Sequence, residues 1–211
     1  MENKQQEILK TGTTTVGMVC RDCVILASDS KSTLGYLVSS KTAEKIIQVD
    51  DRIALTTAGG SGDTQALARI LKAEINIYKM TRGAELTVPG VVTLLSNILQ
   101  SARYYPYMAM LIIGGVDKDG THILSIDPVG GMEEEKYAST GSGSPIAYGV
   151  LEDNYQEGML KEDGVKLAVR AVRAARERDI FSGGKDILVA VIDKNGVEFV
   201  NKEKVKELIK S

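Results

Sequence analysis

The sequence predicts an α+β fold in which two antiparallel sheets pack face to face and each carries helices on its outer side, a four-layer αββα sandwich. Three observations predict it. The elements come in blocks (strands, two helices, strands, two helices, strands), an order that argues against βαβ units and a doubly wound parallel sheet. Adjacent strand patterns are joined by short turn signals, which makes the sheets antiparallel. Runs such as MLIIGG and ILVAVI are apolar on both faces, so each sheet needs cover on both sides.

Taken in order, residues 14–20 and 23–28 form a hairpin around Arg21-Asp22, followed by short strands near 36–38, 46–49 and 53–57. A first helix over 63–80 is marked by Leu67, Ile70, Leu71, Ile75 and Tyr78 at helical spacing, with Ser61 or Asp63 as N-cap candidates. A second runs over 89–104 from Pro89, a good first-turn residue. AMLIIGGVD, KDG and THILSID then read as a hairpin with Gly120 free to take a positive φ, and EEEKYAS as the next strand to pair. Helices follow over 144–155 and 162–178; the latter has one apolar stripe of Val165, Ala168, Val169, Val172 and Ala175, with Arg170, Arg173 and Arg176 facing solvent. DILVAVIDKNGVEFV is a hairpin across Asn195-Gly196, and KEKVKELIK a short final helix.

Composition removes several function classes. The 211 residues suit one domain with a sizeable core, and a net charge of -2 leaves no footprint for nucleic acid or an anionic membrane. No apolar stretch approaches the ~18 residues of a membrane span, and Ile8-Leu9 is far short of a signal-peptide core of ~7–15 residues, which points to the cytoplasm. The only cysteines, Cys20 and Cys23, form CRDC at a strand turn rather than opening a helix; they read as a redox pair or as two buried strand-end thiols. The single histidine, His122, lies in a strand pattern with no nucleophile motif nearby, so neither a zinc site nor a Ser–His–Asp triad is indicated. Two glycine-rich loops, AGGSGD (58–63) and STGSGSP (139–145), precede helices, but neither matches a P-loop or a full dinucleotide fingerprint. Such loops equally supply N–H donors for a developing oxyanion.

The chemistry starts at TGTTTVG. Residues 1–12 (MENKQQEILKTG) carry no folding pattern, then a threonine cluster enters the first strand. Either this is an ordinary terminus, or the leader is removed and a threonine becomes the new N-terminus. A threonine hydroxyl needs a base at neutral pH, and an α-amine with a pKa of roughly 7.7–8.0 is far better matched than a lysine near 10.4. A cut between Gly12 and Thr13 would therefore unite nucleophile and base in one residue. Gly12 suits that cut, since it lacks the Cβ that would crowd a tight turn of Thr13 Oγ onto its own carbonyl.

The stretches TGTTTVG, LASDSKST, KTAEKI, TTAGGSGD, TLLSNIL, YASTGSGSPIAYGVLE and RERDIFSGGKDILVAVI together resemble the β subunits of archaeal-type 20S proteasomes, threonine peptidases of the N-terminal-nucleophile (Ntn) hydrolase class. The resemblance runs from Thr11 nearly to the C-terminus and implies the same four-layer sandwich. It implies that 1–12 is a propeptide removed autocatalytically, leaving 13–211 as a single catalytic domain with Thr13 as nucleophile. Asp29 and Lys45 match the family's buried acid–base pair, Gly59 the oxyanion N–H donor, and Ser142, Asp179 and Ser182 the cluster that orders the threonine amine. Read without the family, Asp29 is a turn residue, Lys45 a solvated strand-end charge, and the others loop and helix-end residues. Ser32, Ala43, Ile47 and Thr57 fall at the positions lining the pocket for the substrate residue before the cut; none is charged, so a chymotrypsin-like, apolar preference is implied.

The resemblance further implies homo-heptameric β rings stacked with α-subunit rings, an ATP-driven unfoldase that feeds unfolded polypeptides, and no metal or organic cofactor. Three alternatives share parts of this pattern. An assembly-only ring subunit usually lacks an intact Thr/Asp/Lys set, and here all three positions are filled. A bacterial HslV-type peptidase also begins with paired threonines but lacks the YASTGSGSP-like run. A small-molecule Ntn amidohydrolase would share the chemistry but not the size of the assembly.

Overall fold

The computed structural model describes residues 12–210. The first eleven residues of the expected leader lie outside that range. Among the described residues, twelve strands and five helices form a mixed α+β fold with two five-stranded antiparallel sheets and one small hairpin sheet.

The first large sheet has the order β10-β1-β2-β11-β12, from Tyr137–Thr140, Thr15–Val19, Val24–Asp29, Ile187–Asp193 and Gly196–Phe199. The second runs β5-β6-β7-β8-β9, from Ile46–Asp50, Ile53–Gly59, Ala109–Asp117, Gly120–Ile126 and Met132–Glu134. The hairpin turns are as the sequence predicts: Gly120 and Gly196 take φ of 135° and 133°. Both faces of each large sheet are buried, as the two-sided apolar runs require. Val24, Leu26, Ala190 and Ile192 of one sheet meet Ile46, Ala54, Ile112 and Ile123 of the other. On the far face of the second sheet, α1 (Ser61–Arg82) buries Leu67, Leu71 and Ile75, and α2 (Val88–Ser101) buries Val91, Leu95 and Leu99. On the far face of the first, α3 (Ser144–Asn154), α4 (Lys161–Arg178) and α5 (Lys202–Lys210) bury Leu151, Val169, Val172 and Val205. Each such aliphatic side chain taken from water stabilises the fold by roughly 1.5–3 kcal/mol.

Four local expectations change. EEEKYAS is not one strand: Glu133 and Glu134 pair with β8, while Tyr137–Thr140 crosses to the other sheet and pairs with β1. Neither Ser61 nor Asp63 caps α1; Gly60 is the N-cap, and the Asp63 carboxylate instead accepts the Met108 N–H at 2.8 Å, tying the helix to the start of β7. Helix α2 stops at Ser101, where Ala102 and Arg103 make tightened bonds back to Leu99 and Gln100 ahead of Pro106. Ile70 and Tyr78, expected in the apolar stripe of α1, are 38% and 36% exposed, because only the Leu67–Leu71–Ile75 line meets the sheet. The segment near 36–38 is one arm of a small hairpin, β3 (Ser32–Leu34) with β4 (Leu37–Ser40), closed by Gly35 at φ 57°.

Candidate active site

The site forms where β1 begins and β2 ends. The register pairs Thr15 with Ser28, which brings the next residues out, Thr14 and Asp29, together. Thr14 N–H donates to Asp29 Oδ1 at 3.0 Å, and Asp29 N–H donates to the Thr14 carbonyl at 3.2 Å. Asp29 is fully buried, and its other contacts explain how a carboxylate is tolerated there. Oδ2 accepts the Lys31 and Gly183 N–H groups at 3.1 and 2.9 Å, and Oδ1 also accepts Lys45 Nζ at 2.7 Å.

Lys45 lies one residue before β5 and is 6% exposed. Its ammonium bridges Asp29 and Thr13, donating to Thr13 Oγ1 at 3.0 Å. Burial pulls the lysine below its usual range, and the Asp29 charge works against that pull. Thr13 Oγ1 in turn donates to the Gly12 carbonyl at 2.7 Å. The hydroxyl of Thr13 thus sits between a buried cation and the carbonyl of the preceding peptide bond. In the uncut chain Thr13 N is an amide, and it donates to Ser142 Oγ at 3.2 Å.

Ser142, in the turn between β10 and α3, belongs to a second cluster. Ser142 Oγ and Ser182 Oγ both donate to Asp179 Oδ2, at 2.6 and 2.5 Å, and Thr14 Oγ1 lies 2.6 Å from Ser182 Oγ. Asp179 is the C-cap of α4, where the backbone leaves helical geometry and releases the carboxylate toward β1. Two glycines are required by close approach. A Cβ on Gly12 would overlap Phe181 Cβ, and one on Gly59, at φ 120°, would overlap the Met108 carbonyl. Thr57 N–H donates to the Lys45 carbonyl, while Gly60 N–H turns the opposite way to Met108. Ladder alternation therefore points Gly59 N–H to the Lys45 side of β6, toward Thr13.

A cavity of about 130 Å³ opens over Thr13 and contains all four expected lining residues, Ser32, Ala43, Ile47 and Thr57, together with Gly59. It also takes in Lys31, Glu44 and Gln65, so its wall is not free of charge. Lys31 Nζ donates to the Ile180 carbonyl at 2.7 Å, which closes the wall against the Asp179 loop.

Beneath the site a chain of hydroxyls crosses the inter-sheet core. Thr56 Oγ1 of β6 donates to Thr15 Oγ1 of β1 at 3.1 Å, and Thr15 Oγ1 lies 2.6 Å from Thr140 Oγ1 of β10. These strands lead to Gly59, Thr13 and Ser142 respectively. Sequence reasoning missed this chain, the parts played by Thr14, Lys31 and Gly183, and the wider cavity wall. The TTT run was the one available signal, and its second and third threonines read as strand residues rather than as alternative nucleophiles.

His122 stands apart from all of this, with Nδ1 2.7 Å from Glu134 and Nε2 3.2 Å from Asp117. Among the described residues no group of three His, Cys, Asp or Glu side chains is placed to hold a metal, and no helix is long and apolar enough to cross a membrane.

The geometry is that of a hydrolase-type site with one hydroxyl held by a buried lysine–aspartate pair. Comparison with known proteins places it in a family. The profile described as "Proteasome subunit" matches residues 9–192. "Proteasome subunit beta" of Methanosarcina mazei is 50% identical over 196 residues, 92% of this chain and 93% of that protein. "Proteasome subunit beta" of Methanocaldococcus jannaschii is 50% identical over 202 residues, 95% and 90% of the two chains. That of Ferroglobus placidus is 50% identical over 193 residues, 91% and 92%. The chain belongs to the proteasome subunit family, on its β side.

Proposed function

We propose that this β subunit is a threonine endopeptidase of a 20S core, built as a four-layer αββα Ntn-hydrolase sandwich and activated by removal of its own leader. The observation that carries the reading is the position of Thr13 Oγ1, within hydrogen-bond reach of both Lys45 Nζ and the Gly12 carbonyl. In the precursor, Thr13 Oγ attacks the Gly12 carbonyl carbon and forms an ester as the amide nitrogen leaves. Water then releases residues 1–12 and frees the Thr13 amine. The mature domain is 13–211.

With the amine free, Thr13 carries nucleophile and base together. Its nitrogen, ordered by Ser142 and the Asp179–Ser182 pair, takes the hydroxyl proton, through water where the geometry requires it. Lys45, held by Asp29, stabilises the alkoxide, and Gly59 N–H receives the oxyanion. The amine protonates the leaving group and water resolves the acyl-enzyme, without metal or cofactor. Unfolded polypeptides are the substrates and short peptides the products. Ser32, Ala43, Ile47 and Thr57 favour an apolar side chain before the cut. The working form is a cytoplasmic stack of β rings and α-subunit rings served by an ATP-driven unfoldase. A Thr13→Ala chain assembled with its α partner is expected to keep its leader and hydrolyse no peptide; retained hydrolysis would move the nucleophile elsewhere.

A further inference from the structure

The CRDC turn has no part in that reaction. It joins β1 to β2 at the end opposite Thr13. The ladder's last pair is Val19 with Val24, and beyond it Cys20 N–H donates to the Cys23 carbonyl at 2.8 Å. The cysteines therefore face each other across the hairpin, with Arg21 and Asp22 exposed between them. Residues opposed across an antiparallel hairpin have Cα atoms ~4.5–5.5 Å apart. That lies within the ~4.4–6.8 Å a disulfide spans. The two side chains point to the same face of the sheet, into one buried cluster with Met18, Ile25 and Val191. Both thiols are free and buried, at 2% and 4% exposure. The turn is braced on both sides: Arg21 N–H donates to the Met159 carbonyl at 3.0 Å, and Tyr155 Oη–H to the Val19 carbonyl at 3.0 Å. Beside it lies a cavity of about 510 Å³ lined by Cys20 with Arg21, Lys136 and Glu157, which gives a small reagent a way in.

We propose that Cys20 and Cys23 are a redox-modifiable pair, closing into an internal disulfide at the hairpin turn by exchange with a small organic disulfide admitted through this cavity. Either thiol, as its thiolate, attacks one sulfur of the reagent and expels a small thiolate, leaving a mixed disulfide. The other cysteine, losing its proton, then attacks the cysteine sulfur of that mixed disulfide and expels the second small thiolate. One reagent disulfide is reduced, one protein disulfide is formed, and the two thiol protons end on the released small thiols.

The test uses the assembled particle treated with cystamine, followed by unfolding, alkylation and intact-mass and peptide analysis of the β chain. Wild type is expected to lose two hydrogens, to resist alkylation at both cysteines, and to recover both thiols after dithiothreitol. A Cys20→Ala particle is expected to stop at one half-cystamine adduct on Cys23. Wild-type cysteines that still alkylate after treatment, or that carry adducts without closing, would overturn the proposal, as would a Cys20→Ala chain that takes up no adduct.

Discussion

A threonine hydroxyl does nothing as a nucleophile until its proton has somewhere to go, and in the proposed mechanism that depends, at Thr13, on one nitrogen. While it is an amide it donates to Ser142 and cannot accept. Once free, its ordinary pKa is roughly 7.7–8.0, so kcat/KM should rise as pH increases through that region and the amine becomes neutral. In the same proposal Lys45 sets the opposite limb. Burial holds its ammonium below the usual lysine value of 10.5, so activity should fall before an exposed lysine would titrate. Stability runs the other way: from the folded lysine's pKa up to 10.5 the unfolded chain binds more protons, so stability should rise with pH across that window. A pH–rate profile and thermal melts over the same range check both signs. Gly12→Ala should slow leader removal at least tenfold, read by intact mass against time, because the new Cβ overlaps Phe181. Asp29→Ala leaves Lys45 buried without its partner, which costs about 3–5 kcal/mol and should appear as a lowered melting temperature together with lost processing. None of these couplings is visible in the residues alone. Asp29 and Lys45 read as turn and surface charges, and only the family pattern singles them out, since what joins them is strand register rather than spacing.

At the scale of elements, the site is a junction of strand ends. The Thr56–Thr15–Thr140 chain stitches β6, β1 and β10 across the two sheets. Thr15→Val strands its buried hydroxyl partners at about 1–3 kcal/mol and should lower both melting temperature and kcat, whereas Thr15→Ser, which keeps the hydroxyl, should restore most of both. Strands and helices with one strong period were legible: the two hairpins with glycine turns and the stripe of α4 fall where the pattern puts them. The elements that were not legible depend on the partner sheet. EEEKYAS divides between two sheets because Tyr137 and Ala138 find an open edge at β1 that no local pattern announces. The α1 N-terminus passes over Ser61 and Asp63 because Asp63 is taken by Met108.

On the scale of the whole molecule, folding builds the proposed site and a single cut would switch it on. Gly12, Thr13, Lys45 and Asp29 are already in contact in the uncut chain, and the proposed cut changes one nitrogen among them. Activity should therefore track the fraction of chains that begin at Thr13. The most direct measurement follows one sample of particles through maturation, reading the β-chain mass and the peptide hydrolysis rate at each time. Hydrolysis that climbs in proportion to loss of residues 1–12 is the predicted result; full hydrolysis by particles whose β chains still carry those residues would contradict it.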